Sequence, residues 1–336
     1  MPLLEIEDLT VEYHTAAGVF RAVEDLSCQL ERGKSLGIVG ESGCGKTTAM
    51  LAVMRLLPEA GRIVGGQVLL DGTDLLGLSP AELRRFRWEK ISMVFQGAMN
   101  ALNPVRTVGS QIEEALQFHN TVPRSKTKEE VARLLDLVGV SPSRANQYPH
   151  QYSGGMRQRA MIAMALACRP EIVIADEPTT ALDVMVQAQI LDLLQELQAE
   201  LNLAIIMVTH DLGVVAELCD DVLVMYGGRL AEYADIDTIY NEALHPYTQR
   251  LLLAFPDIDD PGADLASIPG HPPPLDDLPP GCRFEPRCTQ RMKRCATEGP
   301  QTVDVVPGHR VSCFLMESLP QAGEVGQDLG TVSGGR

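Results

Sequence analysis

The sequence predicts an α/β fold with a parallel-sheet core, and three stretches carry that prediction. "KSLGIVG" (34–40) is an apolar strand that runs into a glycine-rich turn, and the helical pattern "TTAMLAVMRLL" (47–57) starts directly beyond the turn. "EIVIAD" (171–176) and "LAIIMVTH" (203–210) are continuous β-rich runs, the composition of strands buried on both faces. Between them "QAQILDLLQELQAEL" (187–201) has helical spacing, and strand, helix, strand in that order predicts parallel pairing.

The remaining elements fall into place along the chain. "LLEIEDLTVEY" (3–13) alternates apolar and polar residues and reads as a strand, and "ISMVF" (91–95) as a short one. From about Val108 to Ala167 the pattern is mostly helical, with "EEVARLLDLVGV" (129–140) the clearest amphipathic piece. "DDVLVMYGGRLAEYA" (220–234) reads as a hairpin turning at Gly227-Gly228. Composition changes after Phe255: "PDIDDPGADLASIPGHPPPLDDLPPG" (256–281) is rich in Pro and Asp and reads as a linker. "QAGEVGQDLGTVSGGR" (321–336) has the composition of a disordered tail.

The net charge of −17 over 336 residues opposes nucleic-acid binding, which depends on contacts to phosphates. The N-terminus "MPLLEIEDLT" is acidic where a secretory signal needs a basic start. No apolar run approaches the roughly 20 residues that span a bilayer. The expectation is a cytosolic protein with at most a peripheral membrane role, in which structural disulfides are disfavoured.

"GESGCGKTT" (40–48) satisfies G-x-x-x-x-G-K-[ST] in the context that motif requires, after a strand and at the start of a helix. Gly40, Gly43 and Gly45 let backbone N–H groups turn inward on a phosphate, and the helix start adds positive potential. Lys46 is expected on the outer phosphates and Thr47 on Mg²⁺, with Ser42 and Thr48 beside them; Cys44 fills a free loop position. In "IVIADEP" (172–178), Asp176 emerges at the end of a buried strand, where it can hold Mg²⁺ through water; Glu177 next to it is the candidate that polarises an attacking water. The stretch between Lys46 and Asp176 is longer than such a core needs, so something is inserted.

The insertion ends in "YSGGMRQRAMIAMALA" (152–167). Its Ser153-Gly154-Gly155-Met156-Arg157-Gln158 resembles the signature motif of ATP-binding cassette (ABC) ATPases, in which this helix start faces the γ-phosphate held by another subunit. Tyr152 and Met156 stand where that family usually has Leu and Gln; both changes keep the serine and the backbone donors. The resemblance extends to Gln96 in "MVFQ" as the Q-loop glutamine near Mg²⁺, Asp183 in "TALD" as the D-loop aspartate, His210 in "MVTHD" as the switch histidine and Tyr13 as the adenine-stacking aromatic. The fold it implies is a P-loop cassette (1–255) with an N-terminal antiparallel β part and a helical subdomain at about 98–165. "LHPYTQRLL" (244–252), "IPGHPPP" (268–274) and the tail cysteines are similar to the ATPase subunits of bacterial dipeptide/oligopeptide importers, a subfamily shared with nickel importers. That resemblance implies ATP hydrolysis powering peptide import (alternatively nickel or another small solute) from the cytoplasmic face. The implied partners are two permeases, a second ATPase chain (a paralogue in preference to an identical copy) and an extracytoplasmic solute-binding protein.

Four of the 8 cysteines, Cys282, Cys288, Cys295 and Cys313, fall in the segment 256–320, separated by five, six and seventeen residues. Neither zinc knuckles nor the tight run of small ferredoxins has this spacing, which gives only four thiolates available for one centre, against incidental surface cysteines. Arg283, Arg287, Arg291, Lys293 and Arg294 surround them, a setting expected to lower thiol pKa. The subfamily resemblance implies a [4Fe–4S] cluster, in preference to zinc, as a structural staple. Cys28, Cys168 and Cys219 lie in apolar segments and read as core.

Overall fold

The computed structural model describes residues 1–16, 18–95, 97, 101–180, 182–254 and 268–317. Gln96, the first half of the Pro/Asp-rich linker and the 321–336 tail lie outside them.

In chain order the elements are β1 (Leu4–Thr15), β2 (Gly18–Leu30), β3 (Ser35–Val39), α1 (Lys46–Val53), β4 (Gly61–Leu70), β5 (Thr73–Asp74), α2 (Pro80–Glu89) and β6 (Ile91–Val94). The inserted helices α3 (Val108–Phe118), α4 (Thr127–Leu137) and α5 (Gly154–Ala165) come next. Then follow β7 (Ile172–Asp176), α6 (Val184–Leu201), β8 (Ala204–Thr209), α7 (Leu212–Leu218), β9 (Asp221–Tyr226), β10 (Arg229–Asp235), α8 (Ile236–Glu242) and α9 (Pro246–Leu253). The tail adds β11 (Val303–Val306), β12 (His309–Val311) and α10 (Phe314–Glu317).

Two sheets form. One is antiparallel, in the order β2-β1-β4-β5; the other runs β11-β12-β10-β9-β3-β8-β7-β6. Pairing is parallel from β9 through β3, β8 and β7 to β6, and antiparallel from β9 outward to β11. Strands β3, β7 and β8 are buried along their whole length, as their unbroken apolar composition predicts. Side chains alternate between the two faces of a strand. Leu36, Ile38, Ile172, Ile174, Ile206 and Val208 accordingly join one buried cluster, with β1, β2 and α1. Val173, Ala175, Ile205 and Met207 join the other, with Ile112, Leu116, Met161, Ile190 and Leu194 of the helices.

The tail is not an appendage on a linker. Strand β12 pairs with β10 through Glu232↔Val311 and Tyr233↔Arg310, so the main sheet continues into the C-terminal segment. Two ion pairs and a histidine–carboxylate hydrogen bond, all between residues far apart in sequence, fix it there. The partners are Arg283 with Glu24, Arg287 with Glu41 at 2.5 Å and His309 Nε2 with Glu232 at 2.7 Å. Glu232 is fully buried and also accepts from the backbone N–H groups of Leu244 and His245. Burial alone would raise its pKa; these donors hold it below the usual carboxylate range.

Candidate nucleotide site

The glycine-rich turn leaves β3 and closes into α1. Gly40 and Gly45 have φ of 150° and 103°. A Cβ on either would stand 2.3 Å from the carbonyl oxygen of Met225 or 2.4 Å from that of Ala22, so only glycine fits. Lys46 is buried, and its ammonium donates to the carbonyls of Gly40 at 2.6 Å and Glu41 at 3.2 Å, which hold it at the loop mouth. Cys44 Sγ is turned inward and buried; its thiol pKa is raised, mainly by that burial.

At the end of β7, Asp176 accepts from Thr47 Oγ1 at 3.1 Å, so the expected Mg²⁺ ligands meet. Burial, together with the neighbouring Glu177 charge, pushes Asp176 up to about 6, partly offset by Thr47 and Lys46. A buried carboxylate whose charge is poorly solvated, beside a hydroxyl, is a donor set that suits a hard divalent cation. Glu177 has φ 45°, a left-handed conformation unusual for a side chain of this kind. Its backbone N–H is tied to Val208 O at 2.8 Å, and its carboxylate meets Thr180 Oγ1 at 2.9 Å and His210 Nδ1 at 3.4 Å. Glu177 and His210, far apart in the chain, are thus brought together by the adjacent ends of β7 and β8.

These residues border an open cavity of about 380 Å³ lined by Ser42, Gly43, Gly45, Lys46, Thr47, Thr48 and Glu177. Two of its lining residues are aromatic. Tyr13 and Phe20 pair across the β1–β2 ladder, their ring centroids 5.7 Å apart and stacked. The sequence points to Tyr13 and not to Phe20, whose place beside it comes from ladder register. Leu275 of the tail also lines the cavity, and no local motif marks it.

The signature residues are elsewhere. Ser153 caps α5, accepting from Met156 N at 3.3 Å, and none of Ser153, Gly154, Gly155 and Met156 is in the cavity wall. A Cβ on Gly155 would stand 2.6 Å from Val186 Cγ1, so glycine lets this helix start lie close against α6. Asp183 caps α6 through Val186 N at 3.0 Å. Tyr152, one of the two departures from the family pattern, is buried and donates to Arg144 O at 3.0 Å, a structural role.

Comparison with known proteins extends the match from these motifs to almost the whole chain. Residues 23–180 match the ABC transporter family, and 231–295 match the oligopeptide/dipeptide transporter C-terminal region. The chain is 50% identical over 93% of its length, and of its relative's, to the "Oligopeptide transport ATP-binding protein OppD" of Salmonella typhimurium. It is 46% identical to the "Dipeptide transport ATP-binding protein DppD" of Bacillus subtilis, covering 94% of this chain and 95% of that one. The chain belongs to the ATP-binding subunits of oligopeptide/dipeptide ABC transporters. A solved dimeric ATP-binding cassette, MJ0796 in a post-hydrolysis state with ADP and Pi, overlays it with TM-score 0.63 at 28% identity. That overlay covers 69% of this chain and 98% of the cassette.

In this oligopeptide/dipeptide ABC subunit the predicted effect of the tail's basic residues is corrected. Burial raises the Cys282, Cys288 and Cys313 thiols, Cys313 to about 11, and the thiols add to one another's shifts. The arginines are committed elsewhere: Arg283 to Glu24, Arg287 to Glu41, Arg291 to Glu285, and Arg294 to Glu298 and Glu317. Among the described residues no three His, Cys, Asp or Glu side chains form a group able to hold a metal ion. The Cys282 N–H donates to Cys295 O at 2.8 Å, which sets these two residues side by side. Cys28, Cys168 and Cys219 are buried, as expected of core. Among the described residues no helix is long and apolar enough to cross a membrane.

Proposed function

We propose that this chain is the ATP-hydrolysing subunit of an importer that carries oligopeptides or dipeptides across a bacterial cytoplasmic membrane, bound peripherally to its inner face. The observation that carries the reading is one cavity holding Lys46, Thr47 and Glu177, with Asp176 and His210 adjoining, in a chain whose tail also matches the peptide-transporter region.

ATP enters with its base on Tyr13 and its phosphates in the turn from Gly40 to Thr48. Lys46 exchanges its two carbonyl partners for phosphate oxygens. Thr47 and Asp176 would hold Mg²⁺, and the family resemblance adds Gln96, which lies outside the described residues; when bound, the ion would neutralise charge on the phosphates. Glu177 orients water and takes its proton, and His210 supports the γ-phosphate. Ser153 and the Gly154–Met156 backbone are absent from this wall, so they serve the nucleotide of a second ATPase chain, a paralogue in preference to an identical copy, with Asp183 at the contact. Clamping two chains on ATP moves two permeases, fed by an extracytoplasmic solute-binding protein. An open groove of about 480 Å³, lined by Arg84, Trp88, Phe118 and the paired Arg106 and Glu114, is where a permease loop would dock.

On the resemblance of the tail to the oligopeptide/dipeptide transporter C-terminal region, we assign Cys282, Cys288, Cys295 and Cys313 to a [4Fe–4S] cluster, which when bound would cross-link a segment poor in large apolar residues.

The test is peptide uptake and ATP turnover by the assembled transporter. Glu177→Gln is expected to lower turnover by about 10²–10⁴ while ATP still binds, since it removes the base alone. Turnover at the unsubstituted rate would refute the assignment.

A further inference from the structure

The segment 268–287 lies outside the part of the chain that matches the ABC transporter family, yet it touches the nucleotide turn directly. Arg287 is buried, and its guanidinium grips both carboxylate oxygens of Glu41, Nη1 to Oε2 at 2.5 Å and Nη2 to Oε1 at 3.0 Å. Glu41 is the second residue of the phosphate turn, and its backbone N–H donates to the buried Tyr247 hydroxyl at 3.0 Å. The same guanidinium donates through Nε to Pro269 O at 2.8 Å. One side chain therefore ties the turn to the start of a strap, "PGHPPPL" (269–275). Three successive prolines stiffen the strap, and the Asp277 N–H to Pro274 O bond at 3.0 Å turns it at Leu275, which lines the same cavity as Tyr13 and Phe20.

Leu275 and Arg287 thus have separate tasks. A partly exposed leucine on a stiff strap, in a cavity that Tyr13 and Phe20 also line, offers an apolar contact to a nucleoside. A bidentate, desolvated Arg–carboxylate pair fixes orientation more than a point charge would.

We propose that the C-terminal segment is a working part of the nucleotide site: Leu275 is a specificity residue contacting the nucleoside end of the nucleotide, and Arg287 is a positioning residue acting through Glu41 on the phosphate turn. This rests on the nucleotide reading above.

The experiment is calorimetric binding of two probes to the full chain: a Mg²⁺ complex of a non-hydrolysable ATP analogue, and Mg²⁺–tripolyphosphate, which lacks a nucleoside. Leu275→Ser is expected to weaken the analogue about fivefold, the worth of on the order of 40 Å² of apolar cover, and to leave tripolyphosphate unchanged. Arg287→Met is expected to weaken both probes by roughly tenfold, and Arg287→Lys to recover part of the loss because the charge is kept and the fork is lost. In a double-mutant cycle with Glu41→Gln, the two losses in probe affinity should be non-additive. Lys46→Ala is the control that should abolish binding of both. Leu275→Ser binding both probes at unsubstituted affinity would overturn the nucleoside contact. Additive Glu41 and Arg287 effects would overturn the positioning role. If either occurs while Lys46→Ala still abolishes binding, the nucleotide reading stands without the tail. Leu275 is only partly buried, so its variant folds even if Arg287→Met does not.

Discussion

Substituting His309 by Ala removes the hydrogen bond that seats β12 on a fully buried carboxylate. Glu232 keeps two backbone donors, at 2.7 and 3.1 Å, and loses the partner at 2.7 Å. A hydrogen bond to a charged group is worth about 1.5–3 kcal/mol, and the surviving donors place the expected loss near the middle, about 2 kcal/mol. Calorimetric unfolding at pH 7 should show Tm lower by roughly 4–8 °C if the unit unfolds as a 150–250-residue domain does. Hydrogen exchange should quicken across 303–311 before it does in β3 or β8. The pH dependence gives a second arm. Because the pKa of Glu232 is lowered in the folded state, its contribution is complete above the unfolded value of 4.5 and is lost as pH falls through the lower folded value. The gap in stability between the unsubstituted protein and His309→Ala should therefore narrow as pH drops below 4.5. An unchanged Tm at pH 7, or a gap that widens in acid, would refute the claim that this pair anchors the tail.

Tyr13→Ala and Phe20→Ala should each weaken ATP binding, Tyr13→Ala by about 1–2 kcal/mol or roughly 5- to 30-fold, since the second ring supports the first; equilibrium binding reads both. Anaerobic loading of the full chain with iron and sulfide should produce absorption near ~400 nm that is lost in Cys288→Ser, and no band with all four cysteines intact would reject the cluster.

What the sequence reveals depends on how local each signal is. Gly40 to Thr48 is contiguous, and its strand-before, helix-after context is readable from periodicity alone, so the turn and β3–α1 appear where expected. Asp176 and Glu177 mark themselves by ending an apolar run, and the hairpin turn at Gly227-Gly228 by its dipeptide. Phe20 is hidden because its place opposite Tyr13 is a consequence of register. Arg287 and Glu41 are separated by 246 positions, and no spacing rule links them. The tail's basic residues look like partners for thiols because they adjoin them in sequence; folding gives Arg283 and Arg287 carboxylates from distant parts of the chain instead, and leaves burial to govern the thiols. The β11–β12 hairpin carries a usable signal, Pro307-Gly308, with Gly308 at φ 87°, between short alternating runs that the cysteines overshadow.

The separation of Ser153–Met156 from the cavity in a single copy makes the central claim one about pairing. The most direct measurement is ATP turnover per chain as a function of concentration, alone and with the second ATPase chain added. Turnover should rise steeply with concentration or with that partner, and fall when Ser153 is replaced by Arg. A dilute, strictly monomeric sample with full turnover that ignores both changes would contradict the account.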